Sequence, residues 1–437
     1  MDDELEPRAR IRLRLRQRAN RGFTLIELII ALTTGIAVAG AAYILSKSSM
    51  GVFEAEARMS QAQFSATMAM NRLTSDIQRA GYMSNPNFVK EPGRACGPTV
   101  NFPNVKAILV QPDASMPSAP TSVDNGLTPD RIRIMGNLST TELFVFRTVQ
   151  DRDVYLQMDE GAMQRTLAAT NNGGPPLREL FTPGRYVRLI DKNGKETYAK
   201  IDQMVCNGGT SPCDIAAITD VKITLDRNLP TNVTCGAWVG GGLINPLSIV
   251  DYWIGKPTVV NHFITPATAD MIAPDLANAA QSGDLNRTEL VRTEMIDTGA
   301  GLAPFPPAYA GAPPASEVVA EYAVDFSIGV TARQLPGPPP EINPNLVRYD
   351  ADLDAASINL LSQNDPQRIA SVNVRISTRT RAPDREGPIV TNPRARFDVF
   401  GVHTGNVHGG SGTSTHYARV RTLSQEIALP NLAGLTW

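Results

Sequence analysis

This chain is short of the residues from which catalytic and metal centres are usually built. Its 437 residues include 4 Cys, 4 His and 3 Trp. The cysteines form no C-x-x-C pair, which argues against structural zinc. No Walker A loop, no G-x-G-x-x-G and no G-x-S-x-G occurs; Gly409-Gly410-Ser411-Gly412-Thr413 fails at its last position. An excess of positive charge is also missing. The net charge is -2 with pI near 6.2, so nothing argues for a nucleic-acid partner. Hydrophobic residues at 42% and charged residues at 19% allow a buried core and exclude global disorder. Gly 34 and Pro 33 are modestly above average and favour turns over a helical bundle. Asp350-Ala351-Asp352-Leu353-Asp354 opens like a calcium loop, but Ala355 and Leu361 stand where such a loop needs Gly and Glu. His403, His408 and His416 flank a Gly/Ser/Thr-rich stretch and read as surface histidines. The expectation is a protein with no metal and no cofactor, and not an enzyme.

Long apolar runs are absent everywhere but one place. Phe23–Leu45 is 23 residues with a single charge, Glu27. As a helix it spans roughly 35 Å, enough for a hydrocarbon core of about 30 Å. Met1–Gly22 carries seven Arg against four acids, and Lys47 alone follows closely. The positive-inside bias puts the amino end in the cytoplasm and the rest outside, where disulfides persist. A cleavable signal with Ala39-Gly40-Ala41 as its site is a rival, but the apolar core is too long and carries a carboxylate. An acid inside a span costs about 2.5–3.5 kcal/mol at the bilayer centre, less near the interface, and calls for a function.

Arg21-Gly22-Phe23-Thr24-Leu25-Ile26-Glu27 supplies one. With its basic leader and apolar helix, this unit resembles the processing site of type IV pilins and type II secretion pseudopilins. The resemblance implies that prepilin peptidase cuts between Gly22 and Phe23 on the cytoplasmic face and then N-methylates Phe23. It makes Glu27 the charged residue of the assembly helix, one turn from the new amine of its own or a neighbouring subunit. That amine is the only partner the sequence suggests for the carboxylate.

The helix is expected to continue past the membrane. Phe53, Ala57, Phe64, Met68, Leu73, Ile77 and Ala80 recur at helical spacing, with Glu54, Glu56, Arg58, Gln61, Asn71 and Asp76 between them. Gly81 is the expected C-cap. The run Leu73-Thr74-Ser75-Asp76-Ile77-Gln78-Arg79-Ala80-Gly81-Tyr82, of the form L-x-x-D-I-x-x-A-G-Y, resembles the PilW group of minor pilins. Val372–Arg379 and Arg419–Leu432 are similar, more weakly, to the last strands of that group. The middle of the chain resembles nothing we can name, and its length leaves room for an inserted region.

From Met83 the pattern becomes short strands between turns. Candidates are Val105–Val110, Arg131–Met135, Glu142–Thr148, Arg185–Ile190, Thr197–Val205, Ala217–Leu225, Glu317–Val330 and Arg368–Thr380. Gly240-Gly241-Gly242 reads as a loop. The expected fold is α+β: a long amino-terminal helix, transmembrane then amphipathic, packed on a large, mostly antiparallel β head. The division is 1–22 leader, removed; 23–45 transmembrane and assembly helix; 46–82 amphipathic half; 83–437 periplasmic head. Pro-rich loops near 303–314 and 335–344 leave open two subdomains. Cys206 and Cys213, closing a turn-rich loop, are the natural disulfide, which leaves Cys96 with Cys235; three connectivities are open.

The resemblance implies a minor pilin in the bacterial inner membrane, single-pass, with its head in the periplasm and later in the pilus, where the tip is one position. Its partners would be other minor pilins, the major pilin, the inner-membrane assembly machinery and prepilin peptidase. A minor pseudopilin of type II secretion is the nearest rival. A pilin-anchored adhesin or hydrolase is the rival from another class.

Overall fold

The computed structural model describes residues 24–88, 90, 105–113, 127–171, 177–207, 218–230, 238–255, 288–305, 316–334, 345–381, 385–386, 399–404 and 414–432. Two compact units, Met1–Arg58 and Met59–Trp437, are described separately. One helix, α1 (Leu25–Gln78), runs through the boundary.

In the first unit the described residues are α1 and the Thr24 that precedes it. Leu25, Ile26, Leu28, Ile29, Ile30 and the apolar side chains that follow are all exposed. The helix is long and apolar enough to cross a membrane. Its internal hydroxyls fit that solvent. Thr33 Oγ1 donates to the Ile29 and Ile30 carbonyls at 3.0 Å, and Thr34 Oγ1 donates to the Ile30 carbonyl at 2.8 Å. Neither leaves a donor facing lipid.

The second unit holds the rest of α1 and two sheets, antiparallel throughout. The first sheet has 11 strands: β1 (Ile108–Gln111), β2 (Arg131–Gly136), β3 (Phe144–Gln150), β4 (Asp153–Leu156), β5 (Tyr186–Ile190), β6 (Glu196–Asn207), β7 (Asp220–Leu225), β8 (Val239–Gly255), β9 (Glu289–Asp297), β10 (Leu302–Pro304) and β11 (Ser316–Ala320). The second has 6: β12 (Ala323–Arg333), β13 (Leu346–Tyr349), β14 (Ile369–Arg379), β15 (Arg385–Glu386), β16 (Val399–Thr404) and β17 (Ser414–Ala428). Three further helices are α2 (Gly161–Asn171), α3 (Leu177–Leu180) and α4 (Ala355–Asn364). The α+β expectation holds.

The first sheet closes on itself in part. β8 pairs with β3 along Val239–Ile244 and with β5 along Leu243–Leu247, and β3, β4, β7, β6 and β5 pair in that order. The result is a six-stranded antiparallel barrel. Beyond it, β8 pairs with β2 and β9. The chain leaves the open sheet after Gly136 and returns at Ser248, its direct register partner.

β8 is the longest strand and is not among the strands the sequence pattern suggests. Its glycines are there for close approach. A Cβ on Gly242 would stand 2.1 Å from Phe146 Cζ and 2.8 Å from the Ile190 carbonyl oxygen. Pro246 also misleads. Its partner on one side is Val187, while the other side is where β8 passes from β3 to β2, a break in pairing of the kind where a strand proline is found. β4, β9, β10, β13, β15 and β16 are likewise absent from the strands expected, and the Glu317–Val330 candidate is two strands, β11 and β12.

Two cores result. The barrel has its own, with Phe144, Phe146, Leu189, Ile201, Ile223 and Trp238, closed by Met163 of α2 and Leu180 of α3. The other joins both sheets to α1 and α4. It contains Leu73, Ile77, Ile134, Tyr252, Phe326, Val374 and Ile427. Burying each large side chain contributes about 1.5–3 kcal/mol. Of the Pro-rich stretches, 306–315 and 335–344 lie outside the described residues.

The helix face that packs here is not the expected one. Leu73, Ile77 and Ala80 are buried, but Phe64 and Met68 are 66% and 53% exposed. Ala62, Ala66, Ala69 and Met70 are buried in their place. Small side chains let the helix backbone approach the sheets closely enough for hydrogen bonds. Thr378 Oγ1 donates to the Ala62 carbonyl at 2.9 Å, and the Glu321 N–H donates to Ser65 Oγ at 3.0 Å.

Candidate functional site

Two stretches of α1 carry the residues that the sequence singles out. At its start Thr24 and Glu27 form a reciprocal capping box. Thr24 N–H and Thr24 Oγ1 both donate to Glu27 Oε2 at 3.1 Å, and the Glu27 N–H donates to Thr24 Oγ1 at 3.2 Å. Thr at the N-cap with Glu three residues on satisfies donors that the first turn would leave open. The carboxylate also lies at the positive end of the helix dipole. The idea that only an amine at Phe23 could accommodate Glu27 is thus corrected, because Thr24 already does so within one chain. The geometry folds the carboxylate back onto the Thr24 N–H. Gly22 and Phe23 themselves lie outside the described residues.

At its end, α1 is fastened by charge. Asp76, placed by the sequence pattern among polar residues, is buried. Its Oδ2 accepts from Tyr252 Oη of β8 at 2.7 Å and from Arg292 Nε of β9 at 2.7 Å. Arg292 also lies 3.5 Å from Glu317 of β11, which Arg72 of α1 meets at 3.1 Å. Burial, then the Asp76 charge, pushes the Tyr252 hydroxyl well above the usual range, so it stays a donor. Burial works against the Arg292 charge, but Asp76, Tyr252 and Glu317 together outweigh it and its pKa rises. A buried carboxylate with two such partners is costly to unpair, about 3–5 kcal/mol.

The remaining residues of the L-x-x-D-I-x-x-A-G-Y run finish the same joint. Arg79 donates to the carbonyls of Leu138 at 2.9 Å and Asn137 at 2.6 Å. Gly81 has φ +71, and its N–H donates to the Met135 carbonyl at 2.8 Å. That conformation suits glycine and ends the helix. Asn137 N–H donates to the Tyr82 carbonyl at 2.9 Å. The run is the helix-to-sheet fastening, and the sequence signal for it was the acid inside an apolar repeat.

Other candidates are not brought together. Asp352 pairs with Arg375 at 3.0 Å, while Asp350 Oδ1 accepts from the Asp352 N–H and Asp354 Oδ2 accepts from the Asp350 N–H. Among the described residues no group of three His, Cys, Asp or Glu is placed to hold a metal. His403 lies on β16 and His416 on β17; His408 is outside the described residues. Cys206 of β6 is disulfide-bonded. Cys96, Cys213 and Cys235 lie outside the described residues.

The family model of the prokaryotic N-terminal methylation motif matches residues 17–43. No curated protein and no solved structure matches the chain. The match covers the expected cleavage site, Glu27 and most of the apolar run. It is the signal of type IV pilin-like and pseudopilin proteins, and it implies processing by prepilin peptidase and assembly into a pilus or pseudopilus. With one apolar amino-terminal helix it fits a pilin-like protein anchored in the inner membrane.

Proposed function

We propose that this chain is a minor pilin of the PilW kind, which primes a type IV pilus with other minor pilins and sits at or near its tip. Residues 1–22 are then the leader, cut between Gly22 and Phe23, and Phe23 is N-methylated. The amino end is cytoplasmic and the β region periplasmic. The methylation motif carries the pilin-like part of this reading, and the L-x-x-D-I-x-x-A-G-Y fastening supports the choice of group. A minor pseudopilin of type II secretion shares the first observation.

The role proposed for Glu27 is to receive the amine at Phe23 of its own or a neighbouring subunit. Glu27→Gln keeps a residue able to cap and removes the charge; Glu27→Ala removes both. Both variants are expected to be cleaved and membrane-inserted, and both to be lost from sheared fibres. Fibre incorporation of Glu27→Gln at the wild-type level would leave capping as the whole role of Glu27.

The deciding experiment is mass spectrometry of the mature amino terminus together with the proteins that co-purify. An N-methylated Phe23 with pilus components supports the reading. The same terminus with secretion-system components selects the pseudopilin. A terminus near Ala42 overturns both. For the cysteines we propose Cys206 with Cys213 and Cys96 with Cys235, which non-reducing peptide mapping would read directly.

A further inference from the structure

The barrel core contains no α1 residue, so the barrel is not what holds the assembly helix. A cavity of about 410 Å³ opens at its margin, between the β2–β3 connection, α2 and the end of α1. That volume lies within the range of about 300–1,000 Å³ for small-molecule sites, and barrel mouths are a preferred place for them.

Its lining is mixed, apolar at Leu138, Ala169 and Leu180 and polar along the rest, and its charge is unbalanced. Glu142 and Arg165 form one wall as a two-pronged pair, at 2.8 and 2.7 Å, and cancel each other. The Arg165 hydrogen bond holds the Glu142 carboxyl below its usual range, so the pair stays charged above mildly acidic pH. Arg79 lines the cavity too, but its guanidinium is held by two main-chain carbonyls and lies 5.9 Å from the Tyr82 ring. Carbonyls fix its direction without neutralising it.

Ser139, Thr140 and Thr141 line the same space. Ser139 Oγ accepts from Arg185 Nη1 at 3.2 Å, and Thr140 Oγ1 accepts from the Glu142 N–H at 3.1 Å. The Ser139 and Thr140 hydroxyls each accept one bond, which leaves each its own proton to donate and a second lone pair. The Asn137 side-chain oxygen, accepting from the Thr140 N–H at 3.2 Å, holds the turn. One fixed cation beside two hydroxyls with protons to donate matches a small molecule that carries both a carboxylate and hydroxyls.

We propose that this cavity is a binding site for an acidic sugar, a hexuronate either free or as a unit of a polyuronate. The proposal does not rest on the pilin reading, and each can fail alone.

The test is calorimetric titration of the full-length protein in detergent with sodium galacturonate, trigalacturonate, galactose and sodium acetate. Galacturonate is expected to bind at least about tenfold more tightly than galactose or acetate, since only it offers both the charge and the hydroxyls. Tighter binding of trigalacturonate selects the polymer as the source, and equal binding selects the free sugar. Thr141→Trp, at an exposed position, should fill the cavity and abolish binding with an unchanged melting temperature. Arg79→Gln should bring galacturonate down to the galactose level. Equal affinities for galacturonate and galactose overturn the proposal, as does undiminished binding by a folded Thr141→Trp.

Discussion

The two cores of the β region are built on different plans. The barrel core is closed by its own strands and by two short helices. The other core is incomplete without α1: its wall is Ala62 to Ala80, and a buried carboxylate is its fastening. The comparison teaches where a fault in α1 is felt. It is felt first in the second core and its two sheets; the barrel, whose own core shares no residue with the helix, meets the open sheet through a smaller cluster that joins Tyr186, Tyr198 and Leu247 to Met135, Ile249 and Met295. Trp238 of the barrel and Trp253 of the open sheet, whose Nε1 donates to Thr293 at 3.2 Å, are reporters on the two sides.

Asp76→Ala should have the largest effect, about 3–5 kcal/mol, because Arg292 and Tyr252 lose their shared acceptor inside the protein. Trp253 fluorescence should shift to lower denaturant concentration well before Trp238 does. Coincident transitions would show that the two cores unfold as one. Phe146→Ala should cost a similar about 3–5 kcal/mol, with the order of the two reporters reversed.

Gly242→Ala sharpens the same contrast at smaller size. Its methyl group would meet Phe146 and the Ile190 carbonyl, so about 1–3 kcal/mol should be lost from the barrel alone, as read by Trp238. Hydrogen exchange should quicken in β3 and β8 and not in β14.

Acidity separates the cores without mutation. Asp130 joins the two sheets: its N–H donates to the Phe326 carbonyl, and its carboxylate accepts from Ile328 N–H at 2.7 Å and Asp113 N–H at 3.0 Å. Burial pushes its pKa up to about 7. A raised carboxyl binds its proton more tightly folded than unfolded, so this joint loses stability as pH rises from about 4 to about 7, by at most about 1.4 kcal/mol per pH unit. The barrel carboxylates behave oppositely. Hydrogen bonds lower Asp153 through Thr224 and Glu142 through Arg165, so their contribution is full above about pH 4.5 and is lost below it. Between pH 7 and pH 5 the Trp253 transition should move to higher denaturant and the Trp238 transition should stay. Asp130→Asn should abolish the first movement. Phe64→Ser should do least, within about 0.5 kcal/mol, since that side chain is already exposed.

What the sequence disclosed was local. The apolar run, its single acid and the cap at Gly81 all sit within one stretch of helix, where spacing maps directly onto structure. The helix face was misread because both sides are apolar: Phe64 and Met68 weigh more on any hydrophobic scale than Ala62, Ala66 and Ala69, and only close approach to a sheet makes alanine the buried choice. Asp76 looked like a surface acid because its partners lie on β8 and β9, far along the chain. The barrel was invisible for the same reason. Closure depends on β8 meeting both β3 and β5, and the glycines that permit it carry the signature of a loop.

The pairing of Gly136 with Ser248 makes the barrel a module that begins and ends on adjacent rungs of one ladder. Seen from the open sheet, β2 and β8 are the two arms of a hairpin, and residues 137–247 are its turn. Widening a turn is thermodynamically lenient, since each doubling of a loop costs only about 0.6 kcal/mol in closure entropy. A module that begins and ends on adjacent rungs can therefore be gained or shed by a lineage while the sheet keeps its strand order and the helix keeps its seat. Relatives that share the fastening around Asp76 are then expected to differ most in what they carry between these two rungs.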